Sequence, residues 1–246
     1  MESRVFISCI MPTCNRSAFV PRAIRYFLDQ DYEGKELLIV DDGSENGADL
    51  IPDDPLIRYI RLNERLPLGA KRNLACREAR GEIIVHWDDD DWMAPWRLSY
   101  QVNALIESQA EICGLNRLLF YNPFSDQAWR YSYPPNGRSW LAGGTLCYRK
   151  SFWESHPFPH IQVDEDSRFI WSKPGAKMLT LEKTDFYVAI IHPGNTIPKR
   201  TQDPRYRSWP VSEVRNLLGA DWKFYAELAR SHTATAGARM VDRRLT

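Results

Sequence analysis

The sequence predicts an α/β protein whose core is a doubly wound, mostly parallel sheet. Two observations carry that expectation. Four short apolar runs alternate with segments of helical periodicity across the first hundred or so residues. The last run, Ile83-Ile84-Val85-His86-Trp87, lacks polar alternation, as strands covered on both faces do, and ends abruptly in Asp88-Asp89-Asp90-Asp91. Open α/β sheets hold their ligands at the carboxyl ends of such strands.

Residues 5–11 read as the first strand, ending at Pro12-Thr13-Cys14-Asn15-Arg16. Over residues 18–30, Val20, Ile24, Phe27 and Leu28 keep a helical spacing, with Pro21 tolerable in the first turn. Residues 36–40 form the second strand, which stops at Asp41-Asp42-Gly43-Ser44, and residues 57–62 the third. The spacing predicts a helix over 69–80, with Ala70, Leu74, Ala75 and Ala79 inward and Gly81 as its C-terminal cap. The acidic strand follows, then a helix over 95–108.

Beyond residue 110 the pattern changes. Residues 118–121 and 128–133 flank Asn122-Pro123-Phe124-Ser125-Asp126 as a hairpin, implying a small antiparallel sheet. Residues 143–148 read as a strand, with Ser151 capping a short helix. Two more strands are expected over 177–182 and 186–191, the second ending at His192-Pro193-Gly194-Asn195-Thr196. A helical tail is expected over 211–230, and residues 233–246 lack a core face and are expected to be flexible.

A length of 246 residues suits one large α/β domain or a domain with an appendage. The 9 Trp and 11 Tyr suggest an aromatic-lined cleft. Lys and Arg total 32 against 32 Asp and Glu, so no global field draws the chain to nucleic acid or anionic lipid. No apolar stretch approaches the roughly 20 residues that span a bilayer, and the N-terminus has no signal-peptide shape. Cys9, Cys14, Cys76, Cys113 and Cys147 are odd in number and show no CxxC spacing, which favours reduced thiols and a cytoplasmic location.

Four adjacent carboxylates repel one another, and in a low-dielectric setting at least one stays protonated. A divalent cation removes that conflict, and Mg2+ or Mn2+ commonly takes one or two carboxylates plus substrate phosphates. In an extended segment Asp88 and Asp90 point to one side, Asp89 and Asp91 to the other. Taken alone, the run also reads as a solvated acidic turn before the helix near Pro95. At successive strand ends, Pro12-Thr13 offers backbone and a hydroxyl, Asp42 an acceptor for a base imide, and Arg72 a cation on the following helix.

The first hundred residues resemble the inverting, nucleotide-sugar-dependent glycosyltransferases of family 2, which have the GT-A fold. The matching pieces are Pro12-Thr13-Cys14-Asn15-Arg16, Leu38-Ile39-Val40-Asp41-Asp42-Gly43-Ser44, Gly69-Ala70-Lys71-Arg72-Asn73 and Ala79-Arg80-Gly81-Glu82-Ile83-Ile84-Val85. The acidic run follows in family order, with Asp where a small residue is common. The resemblance implies a single domain over 1–232, with a nucleotide-binding half (1–108), an acceptor half (109–200) and a helical tail (201–232). It implies a nucleoside-diphosphate sugar donor and an Mn2+ or Mg2+ cofactor. Asp42 would bind the base, with Pro12, Thr13, Arg16, Arg72, Asp88 and Asp89 also on the donor. Asp90 would hold the metal with Asp88, and His192 resembles a histidine that some members place near the diphosphate or metal. Glu165-Asp166 resembles the family's acidic pair at the acceptor side.

Those roles imply a mechanism in which Asp166, with Glu165 as the alternative, takes the acceptor hydroxyl proton during a single in-line displacement. Three other readings compete. A silent sugar-nucleotide-binding module would lack either the metal or the base, and candidates for both are present. A calcium loop would need Gly where Met93 stands. A DNA-modifying transferase would draw on Arg239, Arg243 and Arg244, and the neutral overall charge argues against it. The acceptor, whether glycan, lipid-linked glycan, peptide or small molecule, is not legible.

Overall fold

The computed structural model describes residues 5–45 and 47–231. The expected flexible end and the three arginines in it lie outside these residues. Strand β1 (Ile7–Thr13) leads into helix α1 (Val20–Leu28), followed by β2 (Lys35–Asp41) and β3 (Ile57–Arg61). Helix α2 (Leu68–Glu78) precedes β4 (Ile83–His86), the two-residue β5 (Trp92–Met93) and helix α3 (Arg97–Glu107). The second half holds β6 (Ile112–Gly114), the hairpin β7 (Arg117–Asn122) and β8 (Gln127–Ser132), and β9 (Cys147–Arg149). Two short helices, α4 (Lys150–Ser155) and α5 (Glu165–Ile170), precede β10 (Met178–Thr180), β11 (Tyr187–Ile190) and β12 (Tyr206–Trp209). Helix α6 (Val211–Leu218) and a further helix over 222–231 complete the described chain.

Seven strands form the central sheet in the order β10-β6-β9-β4-β1-β2-β3. All neighbours in it are parallel except β9, which runs against both β4 and β6. Side chains alternate across the pleat, so the sheet builds a core on each face. Ile7, Cys9, Leu37, Ile39 and Val85 pack on one face with Phe27 and Leu98, while Ile10, Leu38, Val40 and Ile84 pack on the other with Ala75, Cys76 and Phe169. A second sheet, β12-β8-β7-β11-β5, lies against the first core; its pairs are antiparallel except β7 with β11.

Several expectations need correction. Residues 143–145 form a 3-10 turn rather than a strand, and β9 begins only at Cys147. Arg149, not Ser151, stands at the N-cap of α4, without a side-chain cap bond. The tail is broken after Leu218, because Gly219 takes a left-handed φ of 58° before the chain re-enters a helix at residue 222. Strands β5 and β6 are too short, and β12 too mixed in polarity, to show a strand period in the sequence. No helix of the described residues is long and apolar enough to cross a membrane.

Gly81 corrects another expectation. Helix α2 ends with Ala79 in an extended conformation, and Gly81 is not among the left-handed glycines. A Cβ on Gly81 would come 2.5 Å from the Ser8 nitrogen and 2.6 Å from the Ile7 carbonyl carbon. Glycine is therefore required by the close pass of backbone over β1, the strand that carries Pro12 and Thr13 to the cleft. We expect Gly81→Ala to lower stability by about 1–3 kcal/mol, the usual cost of overpacking a rigid contact. A denaturant titration that shows no loss would contradict this placement.

Candidate active site

The loop after β1 is fixed by polar contacts. Asn15, at φ 53°, accepts the backbone N–H groups of Ser44 (2.7 Å) and Glu45 (3.1 Å), locking it to the loop after β2. Asp41 accepts from Tyr59 and Arg61, each at 2.8 Å, and serves that turn. Asp42 turns to helix α2: Lys71 Nζ donates to one oxygen at 2.8 Å and Leu66 N–H to the other at 3.0 Å. Burial raises the Asp42 carboxyl, but Lys71 and Leu66 outweigh it and leave its pKa below the ordinary value of 3.8.

Helix α2 buries three consecutive polar residues, each serving a different neighbour. Lys71 binds Asp42 and the Thr13 carbonyl (3.0 Å). Arg72 lies 3.3 Å from Glu165 and 3.7 Å from Asp88, bridging the two halves of the chain. Asn73 holds Phe158 through its backbone N–H (2.9 Å) and carbonyl (2.8 Å). Lys71 is absent from the sequence-derived site. The run Lys71-Arg72-Asn73 carries no distinguishing signal, since three adjacent polar positions are ordinary on the solvent face of an amphipathic helix.

The acidic run is a bend, not an extended strand, and its four carboxylates part company. Asp88 faces Arg72 and lies 3.5 Å from the Tyr187 hydroxyl. Asp89 accepts from Thr13 Oγ1 at 2.6 Å. Burial and the neighbouring Asp90 push Asp89 up to about 7. Asp90 lies 2.9 Å from His192 Nε2 and 3.3 Å from Arg16, contacts that outweigh burial and hold it low. Asp91 points inward to the Tyr187 hydroxyl and the Ile190 N–H (2.7 Å), and burial raises it well above the ordinary range.

The opposite wall comes from the second half. Asp166 opens on the cleft, with its Oδ1 accepting the Ser167 N–H at 2.7 Å. Its carboxylate lies against the backbone of Gly143, where a Cβ would collide with it. Glu165 is buried beneath, beside Arg72. His86 Nδ1 is 2.9 Å from Arg72 and 2.7 Å from the Gly143 carbonyl, and burial keeps the ring neutral. Partly exposed Tyr133, Trp140, Trp171 and Tyr206 line the outer cleft.

The cleft comprises two adjoining cavities of about 780 and 790 Å³. Pro12, Arg16 and Asp89 line both; Arg72, Asp88, Asp90, Glu165 and Asp166 line the first, and Thr13, Arg65 and Lys71 the second. Asp42 lies under the floor of the second with its side chain sealed from solvent, and His192 lies behind Asp90. Among the described residues, no three His, Cys, Asp or Glu side chains are arranged to hold an ion by themselves. The Asp90–His192 separation of 2.9 Å nevertheless fits two adjacent ligands of one small cation, which lie about 3 Å apart when each bond is about 2.1 Å. Phosphate oxygens and water would complete such a site.

The sheet order, with an acidic bend at the end of its middle strand and facing carboxylates, defines a GT-A glycosyltransferase fold. Residues 8–162, more than half of the chain, match the model of glycosyl transferase family 2, and the chain belongs to that family. It is 41% identical over 104 residues to WcaA of Escherichia coli, a protein named for glycosyl transfer in colanic acid biosynthesis. That match covers 40% of the chain and only 37% of WcaA. Among solved structures, Staphylococcus aureus TarS 1-349 with UDP-GlcNAc has a TM-score of 0.61 at 18% identity, over 78% of this chain and 60% of that one. The Pyrobaculum calidifontis mannosyltransferase PcManGT, with GDP-Man and Mn2+, has a TM-score of 0.60 at 19% identity, over 96% of this chain and 76% of that one.

Burial pushes Glu165 up from 4.5 to about 7 despite Arg72. The folded protein therefore keeps a proton that the unfolded chain releases near 4.5. This contribution to stability is full below that value and is lost as pH rises through about 7. Glu165→Gln removes the titration and should lose less Tm than the parent chain between about pH 5 and about pH 8. Scanning calorimetry of the ligand-free proteins checks this, and equal slopes would place the titration elsewhere.

Proposed function

We propose that the chain is a metal-dependent inverting glycosyltransferase that moves a sugar from a nucleoside-diphosphate sugar to a hydroxyl acceptor. One observation carries the reading: Asp166 and the Asp88–Asp90 bend line a single cavity, with Arg72 seated between the walls. A displacement at a sugar carbon needs that division, with a proton acceptor on one side and cations for the leaving group on the other.

The nucleoside would lie in the cavity lined by Thr13, Arg65 and Lys71, and the diphosphate at its junction with the first, beside Arg16. Asp90 with His192, and Asp88 beside them, would hold Mn2+ or Mg2+, which neutralises charge on the departing diphosphate when bound. Asp166 takes the proton from the acceptor hydroxyl as that oxygen bonds to the anomeric carbon. The carbon–oxygen bond to the diphosphate breaks in the same displacement, and its electron pair leaves with the nucleotide, so configuration inverts. Glu165, buried against Arg72, holds that cation between the walls. Trp140 and Trp171, partly exposed in the cavity wall, suit a sugar ring, so a glycan acceptor is favoured.

Uridine is the proposed base. Asp42 accepts from Lys71, Leu66 and the Cys14 thiol, and a uracil imide N–H is a matching donor for its remaining lone pair once Asp42 is uncovered. Five unpaired cysteines fit a reducing, cytoplasmic setting.

The test separates chemistry from binding. Asp166→Asn should bind uridine diphosphate and Mn2+ near the parent level by calorimetry while transfer falls ~10²-fold or more, the scale of a positioned base. Asp90→Asn should lose metal-dependent nucleotide binding instead. Unimpaired transfer by Asp166→Asn would remove it as the base, and much tighter binding of guanosine diphosphate would overturn the uridine assignment.

A further inference from the structure

Arg16 sits where the proposed metal pair faces the cavity. Its NH1 is 2.8 Å from His192 Nε2 and 3.3 Å from Asp90 Oδ2, while those two atoms are 2.9 Å apart. Its NH2 donates to the Gly194 carbonyl, tying the loop after β11 to the loop after β1. His192 is braced from behind by Phe19, with ring centroids 4.6 Å apart.

These contacts cannot all be hydrogen bonds at once. His192 Nε2 either carries a proton and donates it to Asp90, or offers its lone pair to Arg16, whose nitrogens only donate. The arrangement is a compromise held by charge, with the guanidinium balancing a carboxylate that burial would otherwise penalise. Arg16 also lines both cavities, so its head stands at the junction proposed for the diphosphate.

We propose that Arg16 is a displaceable internal cation that guards the Asp90–His192 pair in the free protein. When the donor arrives, its diphosphate draws the guanidinium off the pair by side-chain rotation, and the pair opens to a divalent ion. Metal and nucleotide binding are then positively coupled through one side chain. The inference rests on the metal site proposed above, and its test distinguishes the two.

The experiment titrates Mn2+ into the full chain and follows free Mn2+ by electron paramagnetic resonance, with and without uridine diphosphate. The parent chain and Arg16→Gln are compared, with Arg16→Ala as a second substitution, and thermal melts confirm that both variants fold. Without nucleotide, both variants should bind Mn2+ about tenfold or more tightly than the parent chain, within the usual range of coupling between sites. The ratio of Mn2+ affinities with and without nucleotide should shrink in both variants. Equal or weaker Mn2+ binding by the nucleotide-free variants, with nucleotide-dependent binding retained in the parent, overturns the role of Arg16 and leaves the metal site standing. Absence of Mn2+ binding by every protein in every condition overturns both.

Discussion

Four adjacent carboxylates at the end of a buried strand are the constraint on which the rest of the molecule depends. Left together they would repel one another and remain largely protonated. The chain separates them instead. Asp91 is turned inward to Tyr187 and Ile190, Asp89 to Thr13, Asp88 to Arg72, and Asp90 to His192 and Arg16. Burial raises Asp88, Asp89 and Asp91, and only Asp90, held low by His192 and Arg16, falls below the ordinary range, so negative charge concentrates on Asp90. Beneath the bend, Arg97 lies between the rings of Trp87 and Tyr187 and donates to the carbonyls of His86 (2.8 Å) and Gly144 (2.9 Å). That buried cation joins the end of β4 to the glycine turn that approaches Asp166.

The second half of the chain is arranged around the same need. Tyr187 and Ile190 belong to β11 and His192 follows it, so one strand supplies partners to Asp91 and Asp90. Helix α5 brings Glu165 to Arg72 and leaves Asp166 facing the cleft. Arg72 is thus shared between Asp88 of the first half and Glu165 of the second, and a change at either is felt by the other.

The first half was legible because its strands and helices are long enough to show a period. Val20, Ile24 and Phe27 mark the buried face of α1, and the unbroken apolar run before Asp88 marks β4. The acidic run was legible as a carboxylate cluster at a strand end but not as a shape, because strand alternation fails once the chain bends. Gly81 misled because a glycine after a helix fits a cap as readily as a close backbone approach. The pairing of Arg16 with His192 crosses 176 residues and has no local signal. Asp42 shows a further limit: its place in a loop suggested an open acceptor, and only the fold reveals Lys71 and Leu66 already upon it.

We propose that Asp90 and His192 mark the place where a donor diphosphate and its cation meet. Crystals grown with uridine diphosphate and Mn2+, measured at the manganese absorption edge, test it directly. An anomalous peak is expected within coordination distance of Asp90 and of the diphosphate, with Arg16 displaced from the pair. A bound nucleotide with its manganese peak elsewhere, and Arg16 still seated between Asp90 and His192, would contradict it.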